Sequence, residues 1–371
     1  MKNFILIRFF TTSSAFSAPA SSVSLHDQTE QIRAAEQVPA LAALLLQNGK
    51  VVASVAVGVR KLGDPTLAQA DDKFHLGSGT KAMTATLVAM FIDDGKLSWT
   101  STLFDLFPEI ANMHPAFKTV TVEMLLAHRS GLTADLGKFN GGTLWSKLQS
   151  ATLDPVEGRQ MLAREMLSQP PASPPGSKYE YSNQGYALLG AILERISGTP
   201  WEELIHDRLF KPLNMGSCGI GPLGNPGALT PDQPWAHQKT AAGIHAVFAD
   251  NPETLGPAAT VHCSMLDWAK FIQLHIDAFN GQAHLVTASS FSKLHSSYPG
   301  QEYTYGGWIK TDRAWAKGPV FTHDGSNTLN YATVWWAPIR NFAVMSVSNI
   351  GAPAGQKATM AATASLLDWA Q

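Results

Sequence analysis

The sequence is short of charge, short of cysteine and free of long apolar runs beyond its N-terminus, and each shortage excludes something. Only 15% of its 371 residues are charged and 45% are hydrophobic, whereas an ordinary soluble domain carries roughly 25% charged residues. A chain this apolar is not predominantly disordered. Basic excess is lacking too, since 27 Lys and Arg against 29 Asp and Glu give a formal net charge of −2. A protein living on phosphate contacts should be basic, so nucleic-acid binding is excluded. Cys218 and Cys263 are the only cysteines, without close spacing, and neither a disulfide framework nor a cysteine-rich zinc site is expected. Past the N-terminus nothing approaches the ~18 uninterrupted apolar residues of a membrane span. The 12 histidines include no H-E-x-x-H and no helical pair at ligand spacing beside a carboxylate, so a catalytic metal is unsupported. His262 beside Cys263 reads as local packing, because neighbours in a strand point to opposite faces. Gly219 to Gly224 spells a dinucleotide-binding glycine pattern, but it contains Pro222 and runs into Asn225-Pro226-Gly227 instead of a helix. No cofactor is expected there.

What is present suggests an enzyme-sized fold. At ~150 residues per domain the length fits two units, or one fold with a large insertion. Lys2, the apolar run Phe4 to Phe10 and the small residues Ala15 to Ala20, with no acid before Asp27, read as a signal or targeting segment over residues 1–24, although Arg8 interrupts the run. Periplasmic or secreted location is the expectation, while an organelle transit peptide or the tail of a cytoplasmic protein fits the same composition. Ala40 to Gln47 and Val51 to Gly58 flank Asn48-Gly49, the pair favoured where both turn residues need positive φ, and predict a hairpin. Tyr331 to Ala337 and Phe342 to Asn349, separated by Pro338-Ile339-Arg340-Asn341, predict a second antiparallel pair. Helical spacing marks Lys81 to Asp93, Val122 to His128, Gln184 to Ile196, Trp201 to Leu209 and Ser264 to Phe279, with a final helix over Gln356 to Trp369. Thr199-Pro200-Trp201-Glu202 predicts a helix start with Thr199 as its cap. Strands at both ends and helices between them imply an α/β (α+β) fold, with one antiparallel sheet built from both termini and a mainly helical insertion. The expected sheet part is about 25–75 and 300–371, and the helical part about 76–299.

One constellation carries chemistry. Phe74-His75-Leu76-Gly77-Ser78-Gly79-Thr80-Lys81 leads into a helix that is apolar nearly all round and therefore buried. Ser78 and Lys81, three apart at its start, share one face. A lysine there is desolvated, its pKa falls, and it can act as base toward the serine hydroxyl, while the helix N-terminus favours a nearby oxyanion. S-x-x-K recurs by chance at Ser290-Phe291-Ser292-Lys293, in a polar segment without the buried helix.

Two further motifs follow in order: Tyr181-Ser182-Asn183, of the form Y-x-N, and His323-Asp324-Gly325-Ser326, of the form K/H-x-G. With Leu125 to Leu132 and Tyr305-Gly306-Gly307-Trp308, they make the chain resemble the serine β-lactamase and penicillin-binding-protein superfamily over about 39–369. The resemblance is to the branch holding class C β-lactamases, DD-peptidases, D-aminopeptidases and β-lactamase-like esterases. It implies a β-lactamase/transpeptidase-like fold with Ser78 as acylated nucleophile and Lys81 with Tyr181 as the proton-transfer pair. A tyrosinate role requires cationic neighbours to lower the phenol's pKa. By the same resemblance Asn183 would hold the substrate amide, the backbone N–H groups of Ser78 and Ser326 would form an oxyanion hole, and His323, Asp324 and Gly325 would line the binding site. His323 stands where lysine is commoner. Asp324 stands where Thr or Ser is usual; facing the cleft it would repel a substrate carboxylate, and turned away it would pair with a nearby cation or cap a loop. With no recognisable class A deacylating glutamate, strong penicillinase activity is not expected. The implied function is a serine hydrolase, an esterase, peptidase or weak β-lactamase working through an acyl-enzyme on a small ester, amide or peptide, without metal or nucleotide. The rival is a penicillin-recognising sensor or scaffold that acylates without turnover.

Overall fold

A computed structural model describes residues 24–370 apart from Asp135 and Ala151; the targeting segment read at the N-terminus lies, but for Ser24, outside the described residues. Asn48 and Gly49 take φ of 53° and 73°, the left-handed values a two-residue hairpin turn demands. They join β1 (Ala40–Gln47) to β2 (Lys50–Gly58). Three short strands follow, β3 (Lys73–His75), β4 (Gly219–Ile220) and, after the hairpin of β5 (Ala236–Thr240) and β6 (Gly243–Val247), β7 (Val261–Ser264). The chain then returns through β8 (Ile309–Arg313), β9 (Gly318–Ser326), β10 (Tyr331–Ala337) and β11 (Phe342–Ser348). The main sheet has the order β2-β1-β11-β10-β9-β8 and is antiparallel throughout, with Leu44 opposite Met345 and Met345 opposite Val334.

β1 is almost continuously apolar because both of its faces are covered. Ala42, Leu44 and Leu46 face the large core shared with the Thr80–Asp93 helix, whereas Leu41, Ala43 and Leu45 pack with residues of the terminal Ala354–Trp369 helix. The Thr80–Asp93 helix is buried from Thr80 to Phe91, as its all-round apolar pattern predicts. Its hydroxyls stay satisfied, Thr84 donating to Pro257 O at 2.7 Å and Thr86 to Ala82 O at 2.8 Å. No helix among the described residues is long and apolar enough to cross a membrane.

Three local expectations need correction. Thr199 does not cap the next helix, which runs from Trp201 to Ile205 and continues into a π turn over His206–Phe210. The Glu194 carboxylate takes the Trp201 N–H at 2.9 Å instead, doing from a neighbouring helix what a cap side chain does locally. The helix expected over Val122 to His128 stops at Leu126, and His128 lies at φ 56°. Cys218 and Cys263, whose spacing gave no expectation of a disulfide framework, form a disulfide. β4 pairs with β7 so that Gly219 faces His262, which sets their neighbouring cysteines side by side across 45 residues of sequence. The glycine-rich Gly219 to Gly224 enters β4 and then a loop, with no helix behind it.

Candidate active site

Ser78 sits, half-buried, in a single 3₁₀ turn, Gly77–Gly79, that leads into the Thr80–Asp93 helix. Thr80 pins the turn to β7: its Oγ1 donates to Gly77 O at 2.7 Å and accepts Val261 N–H at 3.1 Å. Across from the turn runs the end of β9. A Cβ on Gly77 would lie 2.3 Å from Ser326 N, and one on Gly325 would lie 1.9 Å from Leu76 O and 2.9 Å from Ser78 N. Two glycines are needed because the two backbones touch. This contact brings the amide regions of Ser78 and Ser326 together, the pairing an oxyanion hole requires.

Lys81 is fully buried. Its Nζ donates to Ser78 Oγ at 3.1 Å, Asn183 Oδ1 at 2.6 Å and Ala258 O at 2.9 Å. No carboxylate pairs with it among the described residues, and desolvation alone pushes its pKa well below 10.5. Loss of a proton therefore leaves a neutral amine whose lone pair can face Ser78. Tyr181 stands beside it, with Nζ 4.7 Å from the ring centroid. The tyrosinate expectation reverses here. Although part of the ring faces the cleft, burial is the largest influence on the phenol and drives its pKa up, with a Ser78 hydrogen bond pulling back less strongly. Tyr181 is a proton-bearing phenol in this site, and Lys81 is the group poised to lose its proton.

The third motif lies along β9. Burial first, and the Lys81 charge second, lower the pKa of His323 to about 4, so its ring is neutral near pH 7. Nδ1 faces Asp324 O, a pure acceptor, and so carries the ring proton; Nε2 is left to accept from the Tyr303 hydroxyl at 3.3 Å. Asp324 is exposed, and its carboxylate accepts from Tyr331 at 3.0 Å and Thr333 at 2.5 Å. β8 pairs with β9 from Gly318 to Thr322, which leaves the edge at His323 to Ser326 beside Ser78. A cleft of about 590 Å³ opens there, lined by Ser78, Tyr181, Tyr303, His323, Asp324 and Ser326, with Arg313 and Trp335 at its margin. Arg313 lies over the Trp335 ring at 5.1 Å and donates to Thr311.

Several neighbours were not singled out from sequence. His128 packs on Tyr181 and Tyr303 with centroids 4.4 and 4.7 Å away, and its Nδ1 accepts Ser182 N–H at 3.1 Å. It thereby fixes the backbone between Tyr181 and Asn183. Only its place in the Leu125 to Leu132 segment could have pointed to it. The chance match at Ser290 is dispersed, Ser290 donating to Asp93 at 2.6 Å and Lys293 to Glu123 at 2.7 Å.

Comparison with known proteins bears on the family and the fold. The Beta-lactamase family matches residues 25–367. Penicillin-binding protein 4 of Amycolatopsis lactamdurans is 27% identical over 335 residues, covering 83% of this chain and 80% of that protein. Protein flp of Staphylococcus aureus (strain MW2) is 25% identical over 179 residues, 48% of this chain and 34% of that longer protein. In fold, the chain is similar to the D-amino acid amidase from Ochrobactrum anthropi SV3 complexed with L-phenylalanine, with a TM-score of 0.73, 17% identity and coverage of 93% of this chain and 98% of that one. A match over nearly all the described residues, on a fold that sets a serine, a desolvated lysine and a tyrosine around one cleft, places this chain in the beta-lactamase family.

Proposed function

We propose that the protein is a serine hydrolase that forms an acyl-enzyme on Ser78, with a small neutral or ammonium-bearing amide or ester as substrate. The observation that carries this reading is the buried Lys81 Nζ, 3.1 Å from Ser78 Oγ with no paired carboxylate among the described residues. In its neutral form Lys81 takes the Ser78 proton as Oγ attacks the substrate carbonyl. The carbonyl oxygen becomes an oxyanion, held by the N–H groups of Ser78 and Ser326. Tyr181 gives its proton to the departing nitrogen or oxygen and is reprotonated from the Lys81 ammonium, which restores both groups. Water then repeats the cycle on the acyl-enzyme and frees Ser78. Asn183, already bonded to Lys81, has its amide nitrogen left for the substrate carbonyl side.

Charge argues for the substrate class. A cationic lysine at position 323 would attract a carboxylate, but His323 is neutral there and Asp324 adds a negative charge. The Cys218–Cys263 disulfide and the N-terminal composition both support an oxidising, extracytoplasmic location. Intact-mass measurement after fluorophosphonate treatment tests the core of the proposal: one adduct on the native protein and none on Ser78→Ala is expected. Labelling that persists in the variant, or maps to Ser290, refutes it. A burst of p-nitrophenol without subsequent turnover would favour the sensor reading over the hydrolase.

A further inference from the structure

The two backbone segments that meet at the oxyanion hole are both tied to one buried polar relay outside the three motifs. His75, on β3, is 2% exposed, and its Nδ1 accepts the Gly77 N–H at 3.0 Å. A backbone N–H can only donate, so the ring proton sits on Nε2, which donates to Asp250 Oδ2 at 2.8 Å. The other Asp250 oxygen accepts from Asn327 Nδ2 at 2.8 Å and Asn251 N at 2.7 Å. Asn327, the residue after Ser326, uses its own Oδ1 to accept from Leu329 N at 3.2 Å and Asn330 N at 2.9 Å. The relay therefore begins one residue before Ser78 and ends in the turn that begins one residue after Ser326.

We infer that His75, Asp250 and Asn327 are positioning residues that hold the two oxyanion-hole amides in register without touching substrate. The inference rests on the acyl-enzyme reading above and adds to it the device that aligns the hole. Backbone contact at Gly77 and Gly325 sets how closely the segments approach. Directional hydrogen bonds are needed to set where the N–H groups point. Asp250 suits that task because it accepts on both oxygens from donors belonging to the two sides.

The polarity of the relay makes it testable by an isosteric change. In Asp250→Asn one oxygen becomes an NH2, which faces a donor whichever way the amide is turned. It meets Asn327 Nδ2 and Asn251 N on one side, or His75 Nε2–H on the other. The ring can relieve the second clash only by moving its proton to Nδ1, where it opposes the Gly77 N–H. The same tautomer logic disables a Ser-His-Asp triad when its carboxylate becomes an amide.

The experiment measures kinact and KI separately for fluorophosphonate labelling of Ser78 in the native protein, Asp250→Asn, His75→Asn and His75→Leu, with the fold checked by circular dichroism. Asp250→Asn is expected to lower kinact about tenfold to a hundredfold, short of the ~10²–10³ lost when a hole donor is deleted. KI should change less than about twofold, because the oxyanion exists only in the transition state. His75→Asn, whose Oδ1 can still accept from Gly77, should keep more kinact than His75→Leu. A merely structural role would not split kinact from KI in this way. Unchanged kinact in folded Asp250→Asn, or an effect confined to KI, overturns the inference and leaves Ser78 as nucleophile. No Ser78 adduct on the native protein overturns the acyl-enzyme reading and this inference with it. If Asp250→Asn does not fold, the two His75 variants decide, and equal kinact in both overturns the inference.

Discussion

Removing the Asp324 charge separates substrate classes more sharply than any other single change in the cleft. Asp324→Asn preserves shape, and the Tyr331 and Thr333 hydroxyls that now donate to the carboxylate can rotate to suit an amide. Two unit charges about 4 Å apart interact by ~1 kcal/mol in water and ~4 kcal/mol at an effective dielectric of 20. Asp324 is exposed and lines the cleft, which puts the effect near the lower end, about 1–2 kcal/mol, or roughly five- to thirtyfold in kcat/KM. The expected pattern on one folded variant is a gain of that size on nitrocefin or a D-Ala-D-Ala peptide and a comparable loss on a D-amino-acid amide. Activity on neutral p-nitrophenyl butyrate should stay about the same. Salt provides an internal control, because the Debye length falls from ~10 Å at 0.1 M to ~3 Å at 1 M and the contrast should shrink with it. An equal loss on all three substrates refutes the charge argument and makes Asp324 a support for β10.

Tyr181→Phe should slow acylation by about 10²–10⁴-fold, the usual contribution of a general acid or base, measured as the pre-steady-state burst rate; an unchanged burst rate removes Tyr181 from proton transfer. Acid should destabilise the fold before most carboxylates titrate, because burial lowers the pKa of His237 and His262 to about 4 and of His295 to about 3 from 6.5. The unfolded chain then binds more protons than the native one below pH 6.5, so their contribution is full above that pH and is lost progressively toward pH 4 and below. At 1.36 kcal/mol per pKa unit, this is on the order of 3 kcal/mol for His237 alone. Urea unfolding at pH 7.5 and pH 4.5 measures it, and equal stability at the two pH values would contradict the buried, neutral state of these rings.

Contacts made within one turn were legible in the sequence, and contacts made across the fold were legible only where a motif marked them. Ser78 and Lys81 are three residues apart, so helix geometry alone joins them. Asn48-Gly49 is read just as locally, since its turn depends on two φ values. Asn183 and Ala258 reach Lys81 across 102 and 177 residues; the first was found through Y-x-N, while the second contributes only a backbone carbonyl, which no residue type signals. The Thr199 cap failed for the complementary reason. A competent local side chain was displaced by Glu194, whose carboxylate is oriented by Arg159 between two helices. The cysteines likewise meet only because β4 and β7 pair.

The protonation of Tyr181 was the least legible property of the site, for a single physical reason. Naming Lys81 and Tyr181 requires residue identity and order, but choosing which of them gives up a proton requires the balance between desolvation and nearby charge. The sequence points to a desolvated Lys81 of lowered pKa, whereas a tyrosinate at Tyr181 would need cationic neighbours to lower the phenol's high pKa. In the fold, His128 and Tyr303 close around the Tyr181 ring, His323 beside it is neutral, and burial outweighs the Ser78 hydrogen bond that would lower the phenol's pKa. Desolvation acts with opposite sign on an acid and a base, raising Tyr181 and lowering Lys81. One buried environment therefore shifts both groups in the directions that the proposed roles require, a lysine that accepts the serine proton and a tyrosine that donates its own.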